Sequence, residues 1–235
     1  MIELRKVYKK YISDNGKEFT ALKDISFKWK DNTNIAIVGE SGSGKSTIAN
    51  MLIGLEDITK GSIIIDGKEI NNYGLGDWKK LRKNLQAVFQ DASGTMNPSI
   101  STYKNIEEAL VNLTDFSKKE RKERIYDLMD LMGLDRELLN KAVKNLSGGE
   151  QRRLSLLRAL SVKPKYLILD EVTSGLDLLN TDIILSSLEK YHRQFACCYL
   201  LITHDEYCAN RIADKIIHLK DGEIDKIFEK IEEEI

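Results

Sequence analysis

The stretch Gly39-Glu40-Ser41-Gly42-Ser43-Gly44-Lys45-Ser46-Thr47 constrains this chain more than any other feature. It fits GxxxxGK[ST] and follows Asn34 to Val38, an apolar run of strand length. After it, Ile48, Met51, Leu52 and Leu55 fall at the spacing of one helix face. A strand, a glycine loop and a helix in that order make a cradle for phosphate. Glycines let bare N–H groups curl round phosphate oxygens with no Cβ in the way, and the helix aims its positive end at the same place. On this reading Gly39, Ser41, Gly42, Ser43, Gly44 and Thr47 line a bound nucleotide. Lys45 holds its β and γ phosphates, and the Ser46 hydroxyl ligates Mg²⁺. The competing reading, a Gly/Ser turn with no ligand, does not account for the flanking strand and helix.

The remaining pattern predicts an α/β fold. Tyr166 to Leu169, Tyr199 to Ile202 and Ile216 to Leu219 are short, continuous apolar runs, suited to parallel strands covered on both faces. Asp221-Gly222 reads as a turn after the last of these. Phe19 to Trp29 and Gly61 to Gly67 read as strands of a hairpin-rich layer near the N-terminus. From Ser101 to Leu160 the pattern is helical throughout. Ser117-Lys118-Lys119-Glu120 is a capping box opening a helix with Ile125, Leu128, Met129 and Met132 on one face, and Gly133 stops it. An α/β core interrupted by a helical insertion follows.

A pair of acids ends one strand. In Tyr166-Leu167-Ile168-Leu169-Asp170-Glu171 both carboxylates fall at the carboxyl end, where open α/β sheets bind ligands, and are expected to face the phosphate loop. Asp170 is expected to support Mg²⁺ through a bound water, and Glu171 to act as the general base toward an attacking water. The plain alternative is a helix cap.

Composition narrows the partners. Lys and Arg number 36 against 37 Asp and Glu, a net charge of -1, so no global grip on nucleic acid or anionic lipid is expected. The three cysteines, Cys197, Cys198 and Cys208, show no CxxC spacing, which argues against a disulfide framework or a zinc site and for a reducing compartment. No signal-peptide core and no apolar run long enough to span a bilayer are present, which reads as a cytosolic-type chain.

Leu146-Ser147-Gly148-Gly149-Glu150-Gln151-Arg152-Arg153 precedes a helix carrying Leu154, Leu157 and Leu160. Ser147 fits an N-cap, and the two glycines expose backbone N–H groups, building a second positive helix end. LSGGEQ resembles the signature motif of ABC-type ATPases, and further motifs follow the family's order. Gln90 after Val88-Phe89 resembles the Q-loop, Ser174-Gly175-Leu176-Asp177 the D-loop, and His204 in Ile202-Thr203-His204-Asp205 the switch histidine. Tyr11 resembles the aromatic residue that stacks on adenine, with Tyr8 as a rival. The resemblance covers essentially the whole chain.

The resemblance implies one ABC ATPase domain over 1–235. Its P-loop NTPase, RecA-like core, with a mostly parallel sheet and an N-terminal antiparallel β layer, would occupy 1–90 and 161–235. A helical subdomain carrying the signature motif would occupy 91–160. It further implies ATP and Mg²⁺ as ligands, with Gln90 also touching the metal. Two copies, or this chain and a paralogue, would form a head-to-tail dimer. Ser147, Gly148, Gly149 and Gln151 of one chain would then face nucleotide on the other's phosphate loop. His204 would contact the γ-phosphate, and Asp177 would line the interface. Permease subunits would supply the membrane spans, with residues 91–105 as their contact surface at the cytoplasmic face of the membrane, and an extracytoplasmic solute-binding protein would fit an importer.

Phe89 to Pro98 also resembles the post-Q-loop segment of oligopeptide, dipeptide and nickel importer ATPases, with Ala92 and Met96 departing from that pattern. Peptides or nickel and metal chelates are the cargoes this implies. Val172 stands where many ABC ATPases carry proline, and Ile227 to Ile235 reads as an acidic amphipathic tail in place of that subfamily's longer extension. The alternative function is a soluble ABC ATPase acting on DNA or the ribosome. Such proteins usually carry a long coiled-coil insertion or two ATPase cassettes, and this chain carries neither.

Overall fold

The computed structural model describes residues 1–13, 15–90 and 95–230. The chain divides into two compact units, Met1–Trp78 with Cys198–Ile235, and Lys79–Cys197. Met1–Trp78 contains β1 (Ile2–Ile12), β2 (Glu18–Trp29), β3 (Ile35–Val38), α1 (Lys45–Leu52), β4 (Lys60–Ile65), β5 (Lys68–Glu69) and the start of α2 (Leu75–Asn84). Lys79–Cys197 contains β6 (Leu85–Val88), α3 (Thr102–Leu113), α4 (Lys118–Leu131), α5 (Gly148–Ser161), β7 (Tyr166–Asp170) and α6 (Leu178–Phe195). The chain then adds β8 (Cys198–Thr203), α7 (Glu206–Ile212), β9 (Lys215–Lys220) and β10 (Glu223–Glu229).

The first unit holds two sheets. One is antiparallel, in the order β2-β1-β4-β5. In the other, β3 pairs in parallel with β8 and with β9, and β10 adds antiparallel to β9. Every residue of β3 and of β8 is buried, as parallel strands covered on both faces require. Asp66-Gly67 and Asp221-Gly222 close the β4–β5 and β9–β10 hairpins with positive φ at both positions (48° and 83°, 48° and 78°), the mirror-image turn that matches strand twist.

Two local readings differ from the sequence pattern, and one strand was not read from it. Strand β1 carried no simple alternation because its register shifts between Leu4 and Val7, where Lys6 takes a φ of 47°. Helix α1 stops at Leu52, since Gly54 at φ 74° turns the chain out, so Leu55 is exposed rather than on the apolar face. The tail read from Ile227 is not free: β10 extends to Glu229, while residues 231–235 lie outside the described residues.

In the second unit β6 pairs in parallel with β7. Helices α3, α4 and α5 pack on one another, and α4 meets α6. Ser117 and Glu120 form the expected capping box on α4; Ile125, Leu128, Met129 and Met132 are buried; Gly133 follows at φ 60°. This unit is wider than the helical stretch read from the sequence, since it also holds β6, β7 and α6.

Candidate nucleotide site

The phosphate loop leaves β3 after Val38, and its shape is set by two close approaches. A Cβ on Gly39 would lie 2.2 Å from the Leu219 carbonyl oxygen on β9, and one on Gly44 would meet Leu22 at 2.6 Å and the Ala21 carbonyl at 2.9 Å. Only glycine fits either place, and Gly44 sits at φ 102°. That residue is also the N-cap of α1, so no side chain caps this helix. By contrast Ser101, Ser117, Ser147, Asp177 and Asp205 cap α3 to α7 with their side chains. The first N–H groups of α1 are thus left for another acceptor, which is what an anion requires.

The loop's side chains agree. Lys45 is buried, and its Nζ donates to the carbonyls of Gly39 (2.7 Å) and Glu40 (2.8 Å), so the ammonium lies across the loop. The buried Ser43 Oγ has no hydrogen-bond partner in this structure. Ser41, Gly42 and Ser46 are exposed, and Thr47 is half-buried. Neutral carbonyls hold Lys45 more weakly than phosphate oxygens would, because phosphate adds an opposite charge to the bond.

Of the two aromatic candidates, Tyr11 is the one tied to this loop. Its hydroxyl donates to Glu56 Oε2 and lies 3.5 Å from Thr47 Oγ1. Lys9 Nζ covers one face of its ring at 4.9 Å and pairs with Glu56 at 3.3 Å. Asn50 Nδ2 donates to the other carboxylate oxygen of Glu56 at 2.9 Å. Burial and the Glu56 contact push the Tyr11 phenol up, so it remains a donor. Tyr8 instead lies under Lys60, whose Nζ is 5.5 Å from its ring. Glu56 was not singled out from the sequence, because nothing local to it signals the contact with Tyr11.

His204 belongs to the same unit. Val38 pairs with Thr203 across β3 and β8, so the phosphate loop and His204 leave neighbouring strand ends. His204 is exposed, and Asp205 after it caps α7.

The other candidates are gathered in the second unit. Asp170 ends β7 and is buried; Glu171 follows with φ 52°. Val88 pairs with Leu169, so Gln90 and Glu171 each follow two residues after the last paired position of neighbouring strands. Helix α5 begins with a full capping box: Ser147 Oγ accepts from Glu150 N–H (3.3 Å) and donates to Glu150 Oε2 (2.8 Å), which also accepts from Ser147 N–H (2.7 Å). Gly148 and Gly149 are outside that exchange. Gln151 turns its amide onto the carbonyls of Val143 (3.2 Å) and Leu146 (3.0 Å), fixing the loop that enters α5 rather than pointing outward.

Asp177 caps α6. It accepts from the Asn180 N–H and side-chain amide, both at 2.8 Å, and these bonds hold its carboxyl below the usual range. A Cβ on Gly149 would lie 3.1 Å from Asn180 Oδ1, so the stretch after Asp177 abuts the start of α5. Asn180 was missed, although its offset of three from a capping Asp was a usable signal. Among the described residues no group of three or more His, Cys, Asp or Glu could hold a metal. The Ser46 hydroxyl in the first unit and the Asp170 carboxylate in the second are each oxygen donors of the kind Mg²⁺ takes alongside phosphate and water.

The profile of the ABC transporter family matches residues 22–174. The chain belongs to that family. Among relatives of this ABC protein, the nickel import ATP-binding protein NikE of Shigella boydii is 34% identical over 203 residues, covering 86% of this chain and 76% of that one. NikE of Escherichia coli matches to the same extent, at 34% over 203 residues. The dimeric post-hydrolysis state of the ATP-binding cassette MJ0796, bound to ADP and Pi, superposes with a TM-score of 0.89 at 29% identity, covering 97% of this chain and 98% of that one. For cbiO1 from Clostridium perfringens, part of the ABC transporter complex cbiONQ, the TM-score is 0.84 at 28% identity, with 97% and 88% covered. This ABC protein is an ATP-hydrolysing enzyme of the cassette fold, an ATP-driven transporter component. No helix among its described residues is long and apolar enough to cross a membrane.

Proposed function

We propose that residues 1–235 form a single ABC ATPase domain, with residues 91–160 as its helical subdomain, that powers an importer of nickel, metal chelates or peptides. Similarity to NikE, at 34% identity over 86% of the chain, supports an importer and favours a metal cargo. The observation that carries the nucleotide site is the uncapped α1 on left-handed Gly44, with buried Lys45 beside it.

Each residue has a task in this reading. Lys45 exchanges the Gly39 and Glu40 carbonyls for the β and γ phosphates of ATP, and the backbone from Gly39 to Thr47 lines them. Tyr11 stacks on adenine. Ser46, Asp170 (through a water) and Gln90 hold Mg²⁺, which when bound neutralises charge on the phosphates. Glu171 takes a proton from the attacking water, and His204 donates toward the γ-phosphate.

Ser147, Gly148 and Gly149 of a second subunit, a copy or a paralogue, close over the γ-phosphate, with Asp177 at the interface and Gln151 behind it. Bound ATP then favours the closed pair, and hydrolysis removes the link. The dimeric MJ0796 cassette with ADP and Pi supports such a cycle. Permease subunits, and for import an extracytoplasmic solute-binding protein, complete the assembly at the cytoplasmic face of the membrane. The permease contact lies within residues 91–105. Residues 91–94 of that stretch are outside the described residues, while Asn105 pins the rest by bonds to Asn97 and Ser101.

The test is Glu171→Gln with ATP and Mg²⁺. The expected result is an ATP-trapped dimer by light scattering, with turnover reduced by about 10²-fold or more. Wild-type hydrolysis in that variant refutes the base assignment.

A further inference from the structure

Glu171 is neither glycine nor asparagine, yet its φ is 52°, a conformation that side chains with a Cβ adopt at a cost and keep only where neighbours enforce it. Its carbonyl oxygen is the point of enforcement. It accepts the Ser174 N–H at 3.1 Å, inside the turn that follows β7, and Arg152 Nη1 at 2.9 Å. Arg152 lies on the first turns of α5, five residues after the Ser147 cap. A guanidinium on the helix that opens with Ser147-Gly148-Gly149 thus grips the peptide of the proposed base in the same chain.

We propose that Arg152 is a positioning residue for Glu171, aiming the carboxylate through its own backbone and tying that aim to the start of α5. The inference rests on the assignment of Glu171 as the base. The chemistry suits the role. The guanidinium is planar, permanently charged and geometrically rigid, so it fixes a carbonyl in direction as well as in distance. Two donors converging on one carbonyl leave the Glu171 peptide little freedom to relax to the ordinary helical or extended regions. A shift of α5 is transmitted directly to the residue beside the reacting water.

The experiment is steady-state ATP hydrolysis by the full chain carrying Arg152→Met, Arg152→Lys, Glu171→Gln, and Arg152→Met with Glu171→Gln together. Misplacement of a catalytic group by about 1 Å costs up to about 100-fold, so Arg152→Met is expected to lower kcat by about 10- to 100-fold. The KM for ATP should stay within about twofold, because the group displaced acts on the chemical step and not on binding. Arg152→Lys keeps a donor without the fork and should recover part of kcat. In the Glu171→Gln background Arg152→Met should have no further effect, since a residue that works only through Glu171 has nothing left to aim. Three results overturn the proposal: an unchanged kcat in Arg152→Met, a loss that appears in KM, or an equal further loss in the Glu171→Gln background. If Arg152→Met does not fold, the Arg152→Lys kcat and its double variant with Glu171→Gln decide the question on the same terms. Full activity of Glu171→Gln alone refutes the base assignment separately.

Discussion

Replacing Arg124 by methionine isolates a buried cation whose work is to hold the far end of α5. Arg124 is 7% exposed on α4. It donates from Nη2 to the Leu160 carbonyl (2.9 Å) and the Tyr191 hydroxyl (2.7 Å), and from Nε to the Ser161 carbonyl (3.2 Å). Its guanidinium also lies 4.6 Å from the Phe195 ring centre and 5.4 Å from that of Tyr191. These carbonyls end α5, where helix dipoles leave negative partial charge, so a cation there is favoured. Burial pushes the Tyr191 phenol up, and its hydroxyl also donates to Leu160 O at 2.8 Å.

Methionine therefore leaves the Leu160 carbonyl to the Tyr191 hydroxyl and the Lys163 N–H, and deprives Ser161 O of this bond. One buried acceptor that loses its donor costs about 1–3 kcal/mol. Two lost cation–π contacts add about 1–2 kcal/mol, while release of a desolvated guanidinium gives some of this back. The balance is about 3 kcal/mol of destabilisation, and a domain of this size loses about 2–4 °C of Tm per kcal/mol, so a fall of about 6–12 °C is expected. Calorimetry of wild type, Arg124→Met and Arg124→Lys reads it. A fall below about 2 °C for Arg124→Met means that the desolvation cost cancels the bonds, and the argument fails.

Two further predictions concern binding and pH. Tyr11→Ala should raise the KM for ATP about tenfold, since a base–aromatic stack contributes about 1–3 kcal/mol, while Tyr11→Phe, which keeps the ring but loses Glu56, should raise it only a few-fold. Tyr8→Ala should leave the KM unchanged, and steady-state hydrolysis against ATP concentration reads all three. The Ser147 N–H and hydroxyl hold the Glu150 carboxyl below its ordinary value of 4.5. A group lowered on folding contributes stability that is present above the unfolded value and lost as pH falls through the folded one. Glu150→Gln should thus lower the Tm at pH 7, and the gap should close on acidifying below the folded value.

The sequence carried those features whose cause is local. Glycines at Gly39 and Gly44 marked the loop because the chain passes β9 and β2 too closely for a Cβ. Ser117 with Glu120, and Ser147, marked helix starts because a cap is a three-residue affair. Asp221-Gly222 gave its turn through the φ it demands. What stayed hidden depends on residues remote in sequence. Arg152 is nineteen positions from Glu171, and Tyr11 forty-five from Glu56, so no spacing rule relates them. Strand β1 was hidden for the opposite reason. Its Leu4-to-Val7 shift erased the two-residue period that would have revealed it. Leu55 was misplaced because periodicity continues past Gly54 although the helix does not.

The Ser147 hydroxyl has one proton, and Glu150 already has it. An anion that takes the Ser147 hydroxyl as a donor must displace Glu150 from it, whereas the Gly148 and Gly149 N–H groups stand outside that exchange. At the Ser147 hydroxyl, association is therefore a swap of one good acceptor for another. Swaps of that kind are nearly even in free energy, and they proceed as readily backward as forward. On the proposed cycle, in which a second subunit closes and reopens, a Ser147 hydroxyl that already has a partner in its own chain eases release.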